Sequence, residues 1–240
     1  DDEEATDEEA SDEEAADEET TDEDASDEEA ADEEADDEEE SADYVDHWAE
    51  DYIETVIGLG IAEGVSETEF APDTTITRAE LTKMVVNAAG YEVAEEVDSA
   101  PFYDVATDAW YAPYIEVAKE EGLVEGYSTG YFLPDYEINR AEAMKILLEA
   151  ADASILLDSS QGMLGSFGLD ENPFTDVDTD EWYSEYVFYA YSNGIVAGYD
   201  DGTFGPDNSM TRAEFTKVLV EAMDLEAQLL EKLNKSYVKA

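Results

Sequence analysis

From Tyr44 onward the apolar residues fall in short stripes at helical spacing. Trp48, Tyr52, Ile53, Val56 and Ile57 recur at i, i+4, i+5, i+8 and i+9, which places them on one face of an α-helix. A second stripe, with Leu81, Met84 and Val85, follows the tetrapeptide Thr77-Arg78-Ala79-Glu80. Between the two lie Gly60, suited to ending a helix in the left-handed conformation, and a turn-rich loop carrying Phe70-Ala71-Pro72-Asp73. In that loop the phenylalanine is expected to plug the core and the proline to bar helix continuation. The unit reads as helix, loop, helix.

The same pattern occurs three times in register. The three tryptophans of the chain, Trp48, Trp110 and Trp182, each precede one of its three arginines, Arg78, Arg140 and Arg212, by 30 residues. Between them stand Tyr52, Tyr114 and Tyr186, then Gly60, Gly122 and Gly194, then Gly64, Gly126 and Gly198, then Phe70, Phe132 and Phe204 with their Pro-Asp pairs. Lys83, Lys145 and Lys217 follow each arginine by five residues. An internal repeat of this kind decides architecture before other signals do. One helix pair leaves an apolar face uncovered, so the copies must pack on one another, either as a linear solenoid or as a closed pseudo-threefold bundle. Equivalent positions lie 62 residues apart between copies one and two and 72 apart between copies two and three. The extra ten sit between Ala151 and Pro173, in an inserted linker whose apolar residues, such as Ile155, Leu157 and Phe167, suggest that it packs on the bundle.

Each second helix begins with its own cap. Thr77 with Glu80, and Thr211 with Glu214, match the capping box, in which the threonine accepts from the N3 amide while the glutamate reaches back; Asn139 with Glu142 serves similarly. Arginine at the first helical position faces the positive end of the macrodipole, yet the chain uses all three of its arginines there. Two readings follow. Helix N-termini offer free N–H groups and a guanidinium grips carboxylate or phosphate bidentately, so the site can take an anion. Alternatively each arginine pairs with a nearby carboxylate, such as Asp73, Asp135 or Asp207.

Charge changes the picture at the N-terminus. Residues 1–43 hold 28 of the 68 acidic side chains and neither Lys nor Arg, and Asp2 to Ser41 is eight pentads of the form Asp-Glu-Glu-Ala-x, three of them with one substitution. A period of five fits neither the roughly 3.6 of a helix nor the roughly 2 of a strand. Uncompensated like charges oppose compaction, so an extended, disordered spacer is expected, reaching on the order of 140 Å at about 3.3 Å per residue. The formal net charge of −58 argues against nucleic acid and anionic lipid as partners. Ca²⁺ is a nonspecific companion of so many carboxylates, and no cofactor is expected. There is no cysteine, which removes disulfides and thiolate metal sites, and no apolar run long enough to span a membrane. The chain opens on Asp1 without the basic and apolar regions of a signal peptide, as a processed chain would.

Taken together, the tryptophan, the Gly-[Ile/Leu]-x-x-Gly motif, the Phe-x-Pro-Asp motif and the [Thr/Asn]-Arg-Ala-Glu motif resemble the S-layer homology (SLH) domain over residues 44–223, with Phe102 to Val105 and Phe174 to Val177 as its Phe-x-Asp-Val element. The resemblance implies an all-α fold in which three helix-loop-helix repeats form a pseudo-threefold bundle behind the acidic tail. The segments are then 1–43 (spacer), 44–95, 96–150 and 174–223 (repeats), 151–173 (linker) and 224–240 (a short amphipathic C-terminal helix). It also implies non-catalytic anchoring to anionic, often pyruvylated, secondary cell-wall polysaccharide at the bacterial cell surface. Arg78, Arg140 and Arg212 would be the main contacts, with Trp48, Trp110 and Trp182 as groove walls and Gly64, Gly126 and Gly198 as places of close approach. Core anchoring is the alternative role for the tryptophans, and a purely backbone role for the glycines. Copy one lacks Phe-x-Asp-Val, having Glu40 and Ala42 at its spacing with Tyr44 as an imperfect substitute, so its groove is the most doubtful. A surface-layer subunit or connector acting through protein contacts, and a Ca²⁺-buffering surface protein, are the competing functions.

Other signals are weaker. Asp176, Asp178 and Asp180 resemble the opening of a calcium loop, but Glu181 and Val187 stand where that loop needs Gly and Glu. His47, the single histidine, reads as a capping or surface residue. With one histidine, no cysteine and no phosphate-binding loop, triads, zinc centres and P-loops lack their parts, and no enzyme is expected.

Overall fold

A computed structural model describes residues 42–66, 68–151 and 167–237, with side chains to Asp224 and at Ala227. The expected acidic spacer and most of the linker, including Ile155 and Leu157, lie outside these residues. Those described contain six helices: α1 (Glu50–Gly58), α2 (Arg78–Ala88), α3 (Ala112–Glu120), α4 (Arg140–Ala150), α5 (Ser184–Ser192) and α6 (Arg212–Tyr237). They fall into three pairs, α1/α2, α3/α4 and α5/α6, one per repeat.

The repeats close on one another. Helix α3 packs on α2, α5 on α4, and α1 on α6, so the first helix of each repeat lies on the second helix of the repeat before it, and the last repeat meets the first. The extended segments entering the second helices pair in the same cyclic order through the bridges Thr77 to Glu137, Asn139 to Ser209 and Thr211 to Thr75. A linear solenoid would leave two of these edges unpaired, whereas here every edge is used. Ile76, Ile138 and Met210, one residue before each cap, are fully buried where the three segments meet.

Local sequence explains the elements. Gly60, Gly122 and Gly194 end the first helices at φ of 70° to 77°, a conformation that costs other residues about 1 kcal/mol or more. The capping boxes of α2 and α6 are complete: Glu80 N–H donates to Thr77 Oγ1 (3.3 Å) and Thr77 N–H to Glu80 Oε2 (2.8 Å), with Glu214 and Thr211 at 3.1 and 3.0 Å. At α4 Glu142 N–H donates to Asn139 Oδ1 (2.8 Å), while the Glu142 side chain turns away to accept from Tyr127 Oη (2.9 Å). Phe70, Phe132 and Phe204 are fully buried, each contributing roughly 1.5 to 3 kcal/mol from its removal from water.

Several expectations need correcting. Trp48 precedes α1 and is exposed, so the core face of that helix narrows to Ile53 and Val56, and Ile57 faces solvent. The C-terminal stretch is helical through Tyr237 but continues α6 without a break and is not a separate helix.

Copy one keeps the aspartate that its spacing hides. In repeats two and three, Asp104 accepts from the N–H groups of Phe132 and Leu133 (2.8 and 2.7 Å), and Asp176 from those of Phe204 and Gly205 (2.7 and 2.8 Å). In repeat one Asp43 accepts from Phe70 and Ala71, both at 2.7 Å. It lies one residue closer to its phenylalanine in sequence, and the difference is absorbed at Asp46, whose φ is 61°. Tyr44 sets its ring edge-on to Phe70 at 6.2 Å, in the role Phe102 plays on Phe132 at 5.4 Å. The Asp176 carboxylate is thereby engaged by backbone amides in its own repeat.

Candidate functional site: three grooves built from all three repeats

Three surface clefts recur around the bundle. One is lined by Glu63, Gly64, Glu80 and Lys83 of repeat one, Trp110 of repeat two and Arg212 of repeat three. The next has Glu125, Gly126, Glu142 and Lys145 of repeat two, Trp182 of repeat three and Arg78 of repeat one. The last has Gly198, Glu214 and Lys217 of repeat three, Trp48 of repeat one and Arg140 of repeat two. No groove belongs to a single copy. The closed ring makes this necessary, because each second helix starts against the loop of the following repeat.

The arginines are buried, 6 to 8% exposed, at the floors of these grooves. Arg78 Nε donates to the Phe132 carbonyl (2.9 Å), Arg140 Nε to that of Phe204 (3.0 Å) and Arg212 Nε to that of Phe70 (2.9 Å). Each guanidinium also lies over the same phenylalanine ring, at 4.7 to 4.8 Å from its centroid. Arginine therefore stands at the first helical position because it ties its repeat to the next, while its terminal nitrogens reach toward the groove.

Two of those termini meet carboxylates: Arg212 Nη1 with Glu80 at 3.0 Å, and Arg78 Nη1 with Glu142 at 3.4 Å. The partners are the cap glutamates of the next repeat, in place of the expected Asp73, Asp135 and Asp207. Burial pulls the Arg212 guanidinium below its ordinary pKa, and Glu80 pushes it back up. The expectation of free helix-terminal amides is overturned. Arg78 and Ala79 donate their N–H groups to the Tyr136 and Pro134 carbonyls, Arg140 and Ala141 to Asn208 and Pro206, and Arg212 and Ala213 to Thr74 and Pro72. These helix starts therefore offer an anion no free amide at those positions.

The tryptophans are not core anchors. Trp48, Trp110 and Trp182 are 57, 54 and 52% exposed and form one wall of each cleft. Gly64, Gly126 and Gly198 line the opposite side for an internal reason. A Cβ on Gly64 would lie 2.5 Å from the Ser66 carbonyl oxygen, and on Gly126 or Gly198 it would strike Phe102 or Phe174 at 2.4 or 2.5 Å. The glycines thus have a packing role, and they also leave backbone bare at the groove.

The sequence reading missed residues that shape the grooves. Tyr127 and Tyr199 lie over Arg78 and Arg140 at 5.0 and 5.2 Å, whereas repeat one has Val65 at that position. The groove of Trp110 has the largest volume of the three, about 490 Å³ against about 210 and 230 Å³. The lysines were visible as landmarks, and the structure gives them a place on the groove side of the second helices. Lys83 lies 5.9 Å from the Trp110 ring centroid. His47 Nδ1 accepts from Ala49 N–H (3.1 Å) just ahead of α1, which has no side-chain cap, and its Nε2 lies 3.4 Å from Asp73.

The S-layer homology domain model matches residues 42–82, 101–144 and 173–216. The chain belongs to the S-layer homology family. An exoglucanase, XynX, of Acetivibrio thermocellus is 31% identical over 177 residues, 74% of this chain and 16% of its own length. A cellulosome-anchoring protein of the same organism is 35% identical over 112 residues, covering 47% of this chain and 22% of the relative. The surface-layer 125 kDa protein of Lysinibacillus sphaericus is 31% identical over 109 residues, 45% of this chain and 8% of its own length. The chain thus spans less than a quarter of each of these relatives. What they share with it is the SLH region, a non-catalytic cell-wall-anchoring unit of cell-surface proteins. No helix among the described residues is long and apolar enough to cross a membrane.

Proposed function

We propose that this SLH triplet anchors its bearer to the cell wall by binding anionic secondary cell-wall polysaccharide, pyruvylated polymers included, in the three grooves. One observation carries the reading: every groove sets a solvent-facing tryptophan against a buried guanidinium and a lysine, drawn from different repeats. An indole face suits a sugar ring, and paired cations suit its acid group. A role confined to protein contacts would not require this pairing three times.

The acidity of the chain is compatible with an acidic ligand. Exposed charges are screened beyond about 8 Å at 0.15 M salt, while groove cations act at contact range. Each charge-assisted contact contributes roughly 1.5 to 3 kcal/mol, and three grooves on one polymer add avidity. Ca²⁺ serves as a nonspecific counter-ion between two acidic surfaces.

The test is retention of the whole chain on purified Acetivibrio thermocellus sacculi, intact or stripped of secondary polymer with hydrofluoric acid. Binding is expected on intact sacculi and absent on stripped ones. It should fall by at least tenfold when Trp48, Trp110 and Trp182 are all changed to Ala. Equal retention on both preparations would overturn the proposal.

A further inference from the structure

The grooves share a plan but not a charge. In the groove of Trp110, Glu63 meets Lys83 at 3.3 Å and Glu80 meets Arg212 at 3.0 Å. In the groove of Trp182, Glu125 stands 4.0 Å from Lys145 and Glu142 stands 3.4 Å from Arg78. Each cation there already has a carboxylate. In the groove of Trp48 the position of Glu63 and Glu125 is held by Ala197, and Glu214 turns Oε2 to the Thr211 N–H at 3.0 Å. Among the described residues neither Arg140 nor Lys217 makes an ion pair, and Lys217 is the exposed one of the three groove lysines. Two cations against one carboxylate line this groove, where the others have two against two.

An anion entering either neutral groove must displace a glutamate from its cation and then remain beside that like charge. The groove of Trp48 demands no such displacement, and there a single carboxylate, Glu214, stands near the anion. Arg140 is 8% exposed and lies over the Tyr199 and Phe204 rings at 5.2 and 4.7 Å, which limits its solvation by bulk water.

We propose that the groove of Trp48, Arg140 and Lys217 is the first seat for the anionic group of the polymer, and that Glu63 and Glu125 hold the other two grooves at lower affinity. This rests on the anchoring reading above. It also reverses the ranking drawn from the motif of copy one, because the wall that copy one contributes belongs to the groove with the charge surplus.

The three tryptophans stand one in each groove, so each can report its own site. The whole chain labelled with 5-fluorotryptophan gives three fluorine resonances, assigned by Trp48→Phe, Trp110→Phe and Trp182→Phe and titrated with soluble polysaccharide released from the same sacculi. The Trp48 resonance is expected to reach its midpoint at roughly one tenth of the concentration needed by the others, the effect of one charge-assisted contact. Ala197→Glu, at an exposed position, should move the Trp48 midpoint up into the range of the others, and Glu63→Ala should bring the Trp110 midpoint down. Coincident midpoints, or an unchanged midpoint in Ala197→Glu, would overturn the ranking and leave anchoring intact. If no resonance moves at saturating polymer, the anchoring reading itself falls, and the ranking with it.

Discussion

A buried arginine and an exposed tryptophan from the same groove answer differently to substitution. Trp110→Ala removes an exposed indole, so stability should change by no more than about 0.5 kcal/mol while polymer binding weakens. Arg212→Ala removes the bond to the Phe70 carbonyl and strands Glu80, and is expected to cost about 3 kcal/mol in urea unfolding. Arg140→Ala strands no ion pair and should cost less. Binding loss in an arginine variant therefore means something only beside its unfolding curve. Ala71 and Leu133 have φ of 57° and 60°, where repeat three uses Gly205. Ala71→Gly should raise stability by about 1 kcal/mol by the same assay, since the left-handed region penalises any residue with a Cβ.

At the scale of elements, the ring is held by contacts between the loop of one repeat and the helices of its neighbours. The aspartate that clasps each Phe-x-Pro-Asp loop accepts two amide bonds, so Asp104→Ala should cost about 3 kcal/mol and loosen the wall that carries Trp110. Helix α5 is tied to α4 by a hydrogen bond from Tyr186 Oη to Glu149 Oε1. Burial first, and then this bond, push the Tyr186 hydroxyl well above its ordinary value of 10.0. A raised folded-state pKa contributes stability that is complete below pH 10.0 and is lost as the pH climbs toward the folded value. Chemical denaturation should accordingly show a midpoint that falls above about pH 10, and Tyr186→Phe should flatten that fall.

For the whole molecule, cyclic closure means that no repeat has a complete core or a complete groove of its own. A fragment of residues 42–150 lacks α6 against α1 and α5 against α4, and its circular dichroism is expected to show loss of the cooperative thermal transition that the full chain gives. With a formal charge of −58, self-repulsion should make both the melting temperature and the polymer affinity rise from very low salt to about 0.15 M. A steady fall in affinity over that range would count against the groove mechanism.

Much of this was legible in the chain. The identical spacing from Trp48 to Arg78, Trp110 to Arg140 and Trp182 to Arg212 established three copies, and the caps at Thr77, Asn139 and Thr211 marked the helix starts, because periodicity and capping act over a few residues. Asp43 escaped notice because one missing residue shifts a motif in sequence while a single positive φ at Asp46 restores it in space. Which side of the fold each tryptophan faces, which carboxylate meets each arginine and which repeats share a groove were decided only by ring closure, since these depend on contacts between residues 50 to 150 positions apart. The sequence by itself determined the repeated unit and its chemistry. The tertiary structure decided that three such units make three grooves of unequal charge, because Ala197 acquires its meaning only beside Lys217 and Arg140.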